Sequence, residues 1–221
     1  MDLSIVVPVF DEAARIADAL DALGPARAAG VEVIVVDGGS SDGTSALATA
    51  ADRVLQSPKG RAAQMNAGAA VARGRTLLFL HVDSTLPPHA VAHILDATAS
   101  HAWGRFDVTI EGASLLLRVV SAMMNARSRW SGIATGDQAL FVRRAVFEQV
   151  GRFPAQPLME DIELSKRLRA IEQPVCLRER VVTSGRRWER DGVLRTIALM
   201  WTLRLRYWLG ASPDDLARAY R

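Results

Sequence analysis

The sequence predicts an α/β protein: an open, mostly parallel twisted sheet with helices on both faces. Two observations carry that reading. Residues 3–9, 31–36 and 75–81 are β-branched or near-continuous apolar runs, the pattern of strands buried on both faces of a parallel sheet. Helical patterns separate them, and strands alternating with helices imply right-handed crossovers.

The elements follow in order. Residues 3–9 form a strand, then a helix at about 12–23 with Asp11 as its N-cap. The strand at 31–36 runs into Asp37-Gly38-Gly39-Ser40-Ser41-Asp42-Gly43-Thr44, a loop that opens a helix at about 44–51. A short strand is expected at 53–56, a helix at 61–72, and a buried strand at 75–81 ending in His81-Val82-Asp83. Beyond residue 100 the pattern blurs. Residues 106–110 alternate like a half-exposed strand, 115–127 read as a helix with Met123 and Met124 in its core face, and 139–142 as a short strand before a helix from Arg144. A helix at 160–170, a strand at 175–183 and a tail helix at about 192–209 complete the chain.

The chain has 221 residues, 49% hydrophobic and 23% charged, which suits one core; residues 1–221 read as one domain. Net charge is only +3, with Lys at positions 59 and 166 alone among many Arg, so nucleic acid is not indicated. The single Cys176 excludes an intramolecular disulfide and a cysteine zinc cage. Residues 1–10 lack a basic leader and read as a strand, and no run approaches the roughly 20 apolar residues of a membrane span. A cytoplasmic protein is expected.

Ligands of open α/β sheets bind outside the carboxyl ends of the strands. Here three strands end in acidic loops: Phe10-Asp11-Glu12, Asp37 with Asp42, and Asp83. Asp11 and Asp42, each taken alone, read first as helix or loop caps. Gathered at one edge, they require a cation or hydrogen-bond donors among them.

Pro8-Val9-Phe10-Asp11-Glu12, the Asp37–Thr44 loop and His81-Val82-Asp83 resemble the N-terminal half of glycosyltransferase family 2, with its GT-A fold. The resemblance extends through Gly60-Arg61-Ala62, Asn66-Ala67-Gly68, Gly136-Asp137-Gln138 and Glu160-Asp161, over about residues 3–170. It implies a nucleotide-sugar-binding half at 1–100, an acceptor and catalytic half at 101–190, and a C-terminal helix at 191–221.

The resemblance also implies roles. Pro8, Phe10 and Glu12 would line the nucleoside, and Asp37 would accept the imide N–H of a uracil-like base. Arg61 and Asn66 would meet phosphate or base. Asp83 would hold Mn²⁺ or Mg²⁺ against the donor diphosphate. The family's metal motif usually opens on aspartate, and here His81 stands there. It reads equally as a weak metal ligand, a phosphate contact or a packed strand-end histidine. Asp161 would be the base of an inverting single displacement, with Gly136, Asp137, Gln138 and Glu160 on the acceptor side. Arg187 and Trp188, in Thr183-Ser184-Gly185-Arg186-Arg187-Trp188, would close over the diphosphate.

The run from Leu158 to Ser165 and the segment before Trp188 are similar to a small bacterial subfamily tied to arsenosugar biosynthesis, which implies a small-molecule acceptor. A lipid-linked hydroxyl is the other acceptor considered. The tail helix, with Trp201, Tyr207 and Trp208 among Arg195, Arg204 and Arg206, either packs on the domain or lies on the inner membrane surface. Competing functions are a non-catalytic nucleotide-sugar-binding module or membrane-surface adaptor, and a sugar nucleotidyltransferase, whose Gly-rich signature after the first strand is missing. No G-x-G-x-x-G follows that strand, which disfavours a dinucleotide oxidoreductase.

Overall fold

The computed structural model describes residues 1–220. The first two apolar runs become β1 (Leu3–Val9) and β2 (Glu32–Asp37), each buried along its whole length. With β3 (Arg53–Gln56) and β4 (Thr76–Phe79) they form a parallel block in the order β3-β2-β1-β4, Ile5 standing opposite both Val33 and Leu78. Alternate residues of each strand serve opposite faces. Ile5, Val7, Val33 and Leu78 meet α1 (Ile16–Ala22) and α2 (Gly24–Ala28). Val6, Ile34, Leu77 and Phe79 meet the other face's helices, including α4 (Arg61–Val71); α3 (Thr44–Leu47) is a single turn between β2 and β3.

Helix α4 lies unusually close to the sheet. A Cβ on Gly68 would come within 2.4 Å of Val6 Cγ1, a distance real side chains do not adopt. Glycine there sets the depth of the helix.

The second half adds β5 (Ser84–Thr85), α5 (Ala90–Ser100), β6 (Trp103–Glu111), α6 (Leu116–Ser131), β7 (Phe141–Arg143), α7 (Arg144–Gln149), α8 (Glu160–Arg169) and β8 (Val175–Ser184). Short α9 (Arg186–Asp191) leads to α10 (Val193–Trp208) and α11 (Pro213–Tyr220). The finished sheet runs β3-β2-β1-β4-β7-β6-β8-β5, with β7 antiparallel to both neighbours. It is the mixed α/β sheet expected, still parallel in four of its seven pairings. No helix among the described residues is long and apolar enough to cross a membrane.

Several local expectations change. Asp11 does not cap α1: it sits at φ 51, its carboxylate accepts the Ser41 N–H, and the helix begins only at Ile16 behind Arg15. The helix after Thr44 stops at Leu47 instead of reaching residue 51. Strand β6 is not half exposed, because seven of its nine residues are buried under α5 and α6, Phe106 and Val108 at 0% exposure. Of the methionine pair, Met124 is core and Met123 is exposed.

Helix α10 both packs and exposes. Leu203 and Thr196 are buried, and Tyr207 joins a cluster with Met159, Ile162 and Leu216. Leu194, Trp201, Leu205 and Trp208 remain open to solvent.

Candidate active site

The site begins with three loops at the carboxyl ends of β1, β2 and β4. Side chains lock the first two together. Ser40 Oγ accepts the Asp11 N–H at 2.9 Å, Thr44 Oγ1 accepts the Glu12 N–H at 2.8 Å, and Asp42 accepts the Ala13 N–H at 2.9 Å. Asp42 therefore clamps a loop, and the hydroxyl of Thr44 and the Ala13 N–H hold its carboxyl below the usual range. Asp37 is 1% exposed, and its Oδ1 accepts both the N–H and the hydroxyl of Ser40. The gathered negative charge at this edge is thus largely answered by N–H and O–H donors, as like charges require.

Beneath these loops Gln64 of α4 donates to Val9 O at 2.7 Å and Val36 O at 2.9 Å, tying β1 to β2 where both end. Gln64 went unmarked in the sequence. Its signal was a polar residue one turn beyond Arg61 on an otherwise small-residue helix.

Asp83 is fixed from the other side. Ser84 N–H closes a tight turn onto His81 O at 3.0 Å, and Ser184 N–H donates to Asp83 O at 3.2 Å, so the end of β8 holds the aspartate's backbone. Between the loops and β8 lies a cleft of about 310 Å³. Pro8, Phe10, Glu12, Arg61, His81, Asp83, Asp137, Arg187 and Trp188 line it together, drawn from five separate stretches of chain. Lys59 Nζ stands 3.4 Å over the Phe10 ring at the rim. Tyr220 of α11 also lines the cleft, where its ring stacks 3.7 Å from the Arg187 guanidinium and its carbonyl accepts from Arg187 at 3.1 Å. The sequence reading missed Tyr220.

A smaller cavity of about 90 Å³ adjoins the cleft through Arg61, His81, Asp137 and Tyr220, and adds Gly136, Glu160, Asp161 and Arg204. Asp161 opens α8, and Gly136 N–H donates to its Oδ2 at 2.9 Å. His81 turns toward this side: its Nδ1 lies 3.4 Å from Asp137 Oδ1, and its ring packs so near Gly136 that a Cβ there would sit 2.6 Å away. Two non-glycine residues in the left-handed region flank these motifs, Ala139 at φ 46 and Met159 at φ 65. Each conformation costs on the order of 1 kcal/mol, held by the surrounding fold.

Charges here are strongly interdependent. Burial pushes Glu160 upward and the neighbouring Asp161 charge adds to it, against Arg61. Burial also works to raise Asp137, but the His81 hydrogen bond and the charges of His81, Arg61 and Arg204 outweigh it and leave the carboxyl low. Burial would lower Arg61; the charges of Glu160, Asp137 and Asp161 overcome that and hold it above its ordinary value.

Three expected site residues line neither the cleft nor the adjoining cavity. Asn66 spends its whole amide on Phe153, donating to its carbonyl at 2.9 Å and accepting its N–H at 3.1 Å. Gln138 is 0% exposed; it accepts the Thr135 N–H at 3.2 Å and donates to Asn125 at 3.4 Å. Both brace loops that present other residues. Asp37 lies behind the lining, at the root of its loop.

Among the described residues, no group of three or more His, Cys, Asp and Glu side chains could hold a metal ion alone. Asp83 offers one carboxylate beside His81, and His81 already faces Asp137. That set fits a hard cation only when a ligand's own oxygens and water complete its shell, the habit of Mg²⁺ and Mn²⁺ at phosphates.

The chain is similar to an uncharacterized glycosyltransferase of Nostoc sp. (strain PCC 7120), 24% identical over 181 residues, which cover 72% of this chain and 55% of the relative. It is similar also to the probable glycosyltransferase YdaM of Bacillus subtilis, 25% identical over 202 residues, covering 80% of this chain and 47% of that one. The chain thus spans about half the length of these curated relatives. Among solved structures, the mannosyltransferase PcManGT of Pyrobaculum calidifontis, in complex with GDP-Man and Mn²⁺, superposes with a TM-score of 0.68 at 18% identity, over 99% of this chain and 68% of that one. S. aureus TarS 1-349 in complex with UDP gives 0.64 at 18% identity, over 83% and 60%. These likenesses establish the fold as GT-A. The family model described as glycosyl transferase family 2 matches residues 4–148, about two thirds of the chain, and the chain belongs to that family.

Proposed function

We propose that the chain transfers a sugar from a nucleoside-diphosphate sugar, with UDP as the carrier, to an acceptor hydroxyl by a single inverting displacement. One observation carries this reading: the loop-lined cleft holding Asp83 and the cavity holding Asp161 are neighbours that share Arg61, His81, Asp137, Met200 and Tyr220 as a common wall. A donor lying across that junction puts its diphosphate beside Asp83 and its anomeric carbon toward Asp161. Structural neighbours crystallised with UDP and with GDP-Man plus Mn²⁺ support a nucleotide-sugar donor.

Pro8, Phe10 and Glu12 bound the nucleoside side, and Asp37 anchors the loop that meets the base. Asp83 would hold Mn²⁺ or Mg²⁺ jointly with the donor's phosphates, and the ion would offset charge on the departing diphosphate. Arg61 and Arg187 add fixed positive charge along the same wall. The acceptor hydroxyl oxygen forms a bond to the anomeric carbon. The bond from that carbon to the diphosphate oxygen breaks, and its electron pair leaves with the nucleoside diphosphate. Asp161 takes the hydroxyl proton. Its hydrogen bond from Gly136 orients the carboxylate and leaves lone pairs for that work. Asp137 and Glu160 line the acceptor side.

A non-catalytic nucleotide-sugar module would not require a carboxylate in the second cavity. None of the relatives or structures named above carries the arsenosugar assignment, so the proposal stands at family level. Thermal denaturation with UDP, UDP-glucose and UDP-N-acetylglucosamine, each with and without Mn²⁺, tests it. Stabilisation by nucleotide and metal together is the expected result, and no shift with any of them would sink the donor reading.

A further inference from the structure

Beside the donor cleft a separate cavity of about 300 Å³ lies between α6 and α10. Its walls are apolar, from Val120, Met123, Met124, Ile197 and Trp201. Trp188 and Met200 line both this groove and the donor cleft, and Asp137 and Arg204 line both it and the Asp161 cavity. The three spaces therefore adjoin one another through shared side chains, and the groove borders the Asp161 cavity through Asp137 and Arg204.

Two cations line this groove, Arg127 and Arg204. Nε and Nη2 of Arg127 are buried without a hydrogen-bond partner among the described residues. Burial and the neighbouring Arg204 bring its guanidinium down to about 10, and burial likewise lowers Arg204. The carboxylates of Asp137 and Asp161 act on the pair from a distance without bridging it. A half-buried Arg127 with two idle, buried donors beside the half-buried Arg204, at the side of an apolar groove, is suited to an anion attached to an apolar body.

The outer surface carries the same pairing of chemistries. Leu116, Val119, Met123 and Trp130 of α6 are 43%, 53%, 53% and 91% exposed, and Leu194, Trp201, Leu205 and Trp208 of α10 are 70%, 58%, 56% and 78% exposed. Spacings of three, four and seven residues put each set on one helix face. Neither helix contains an Asp or Glu; each carries three Arg. Single exposed apolar residues are ordinary, but two facing stripes rich in Trp and free of acid mark an interaction surface.

We propose that the α6–α10 face docks on an anionic lipid bilayer and that the groove takes the head of one anionic lipid, held by Arg127 and Arg204, at the acceptor side of the site. Tryptophan side chains at the headgroup level and arginines near lipid phosphates are the standard composition of such a surface. The inference rests on the proposed function only for where the reacting atoms lie.

Co-sedimentation of the whole chain with vesicles tests the surface. Binding to phosphatidylcholine containing phosphatidylglycerol is expected to exceed binding to phosphatidylcholine alone by about tenfold or more, and Trp130→Ser with Trp208→Ser to lower it by about tenfold. Short-chain dihexanoyl phosphatidylglycerol, kept below its micelle concentration, tests the groove. It is expected to raise Tm, dihexanoyl phosphatidylcholine is not, and Arg127→Met with Arg204→Met is expected to abolish the response. Equal partition into neutral and anionic vesicles, or a short-chain response unchanged in the arginine variant, would overturn the proposal. A UDP and Mn²⁺ shift measured in parallel separates the two readings. A UDP shift without any lipid binding overturns this inference alone, whereas lipid binding without a UDP shift supports it and overturns the donor reading.

Discussion

The main-chain N–H of Gly136 donates a 2.9 Å hydrogen bond to Asp161 Oδ2, joining the turn after α6 to the first residues of α8. The turn and the carboxylate are 25 positions apart in sequence and become one unit in space. An amide oxygen at position 161 can still accept that N–H, though not also the Ile162 N–H that Asp161 Oδ1 accepts at 2.7 Å, so Asp161→Asn keeps the link to Gly136 and removes the basicity. Transfer is expected to fall by about 10²–10⁴-fold. The UDP-induced thermal shift should stay within error of the parent. Full activity in the variant would show that another group takes the proton.

Asp83→Asn should weaken the metal-dependent part of nucleotide binding while leaving the fold intact, since it is the backbone carbonyl of Asp83 that accepts from Ser184. Calorimetric titration of UDP at several Mn²⁺ concentrations measures this. The parent's affinity should climb with Mn²⁺ and the variant's should stay nearly flat. A variant as metal-responsive as the parent would move the ion elsewhere.

Glu160 gives a pH signature. Its carboxyl is raised above 4.5, first by burial and then by the Asp161 charge, so its ionised form costs stability in the folded chain. That cost is absent below the unfolded value and complete once pH exceeds the folded one. Glu160→Gln should therefore raise Tm at neutral pH, with the gain shrinking to nothing below about pH 4. Differential scanning calorimetry across pH 4 to 8 would reveal it, and a variant less stable at pH 7 would contradict the assigned sign.

Gly68→Ala is a purely steric test. The added methyl carbon would overlap Val6 Cγ1 at 2.4 Å, forcing α4 off the sheet or Val6 out of its rotamer. Overpacking of this kind costs about 1–3 kcal/mol. For a chain of this length that is on the order of 2–4 °C of Tm per kcal/mol. Nucleotide affinity should drop with it, because α4 also carries Arg61 and Gln64.

The parallel half of the fold was plain in the sequence because its strands are buried on both faces and therefore nearly uninterrupted in apolar character. Strand β3 was found at its true limits. The antiparallel part was harder: β7 has three residues, and β6 alternates in residue type although nearly all of it is covered. Helix α5 follows Pro87-Pro88 behind a left-handed His89 with no side-chain cap, so no start signal preceded it. Helix α11 had its signals, Pro213 followed by Asp214 and Asp215, and was overlooked. In the site, charged residues at loop tips were legible by position. The amides were not: Asn66 finds its partner 87 residues away, and nothing local distinguishes such a brace from a ligand contact.

The depth of α4, set by the missing side chain at Gly68, has a consequence beyond stability. One amide, Gln64, reaches from that helix to the last carbonyl of β1 and the penultimate one of β2 and so acts as a caliper on the gap between their loops. The width of the nucleoside slot is then a dimension inherited from how closely a helix rests on a sheet. Donor preference can drift through substitutions at the helix–sheet contact that touch no ligand, while every residue lining the slot stays the same.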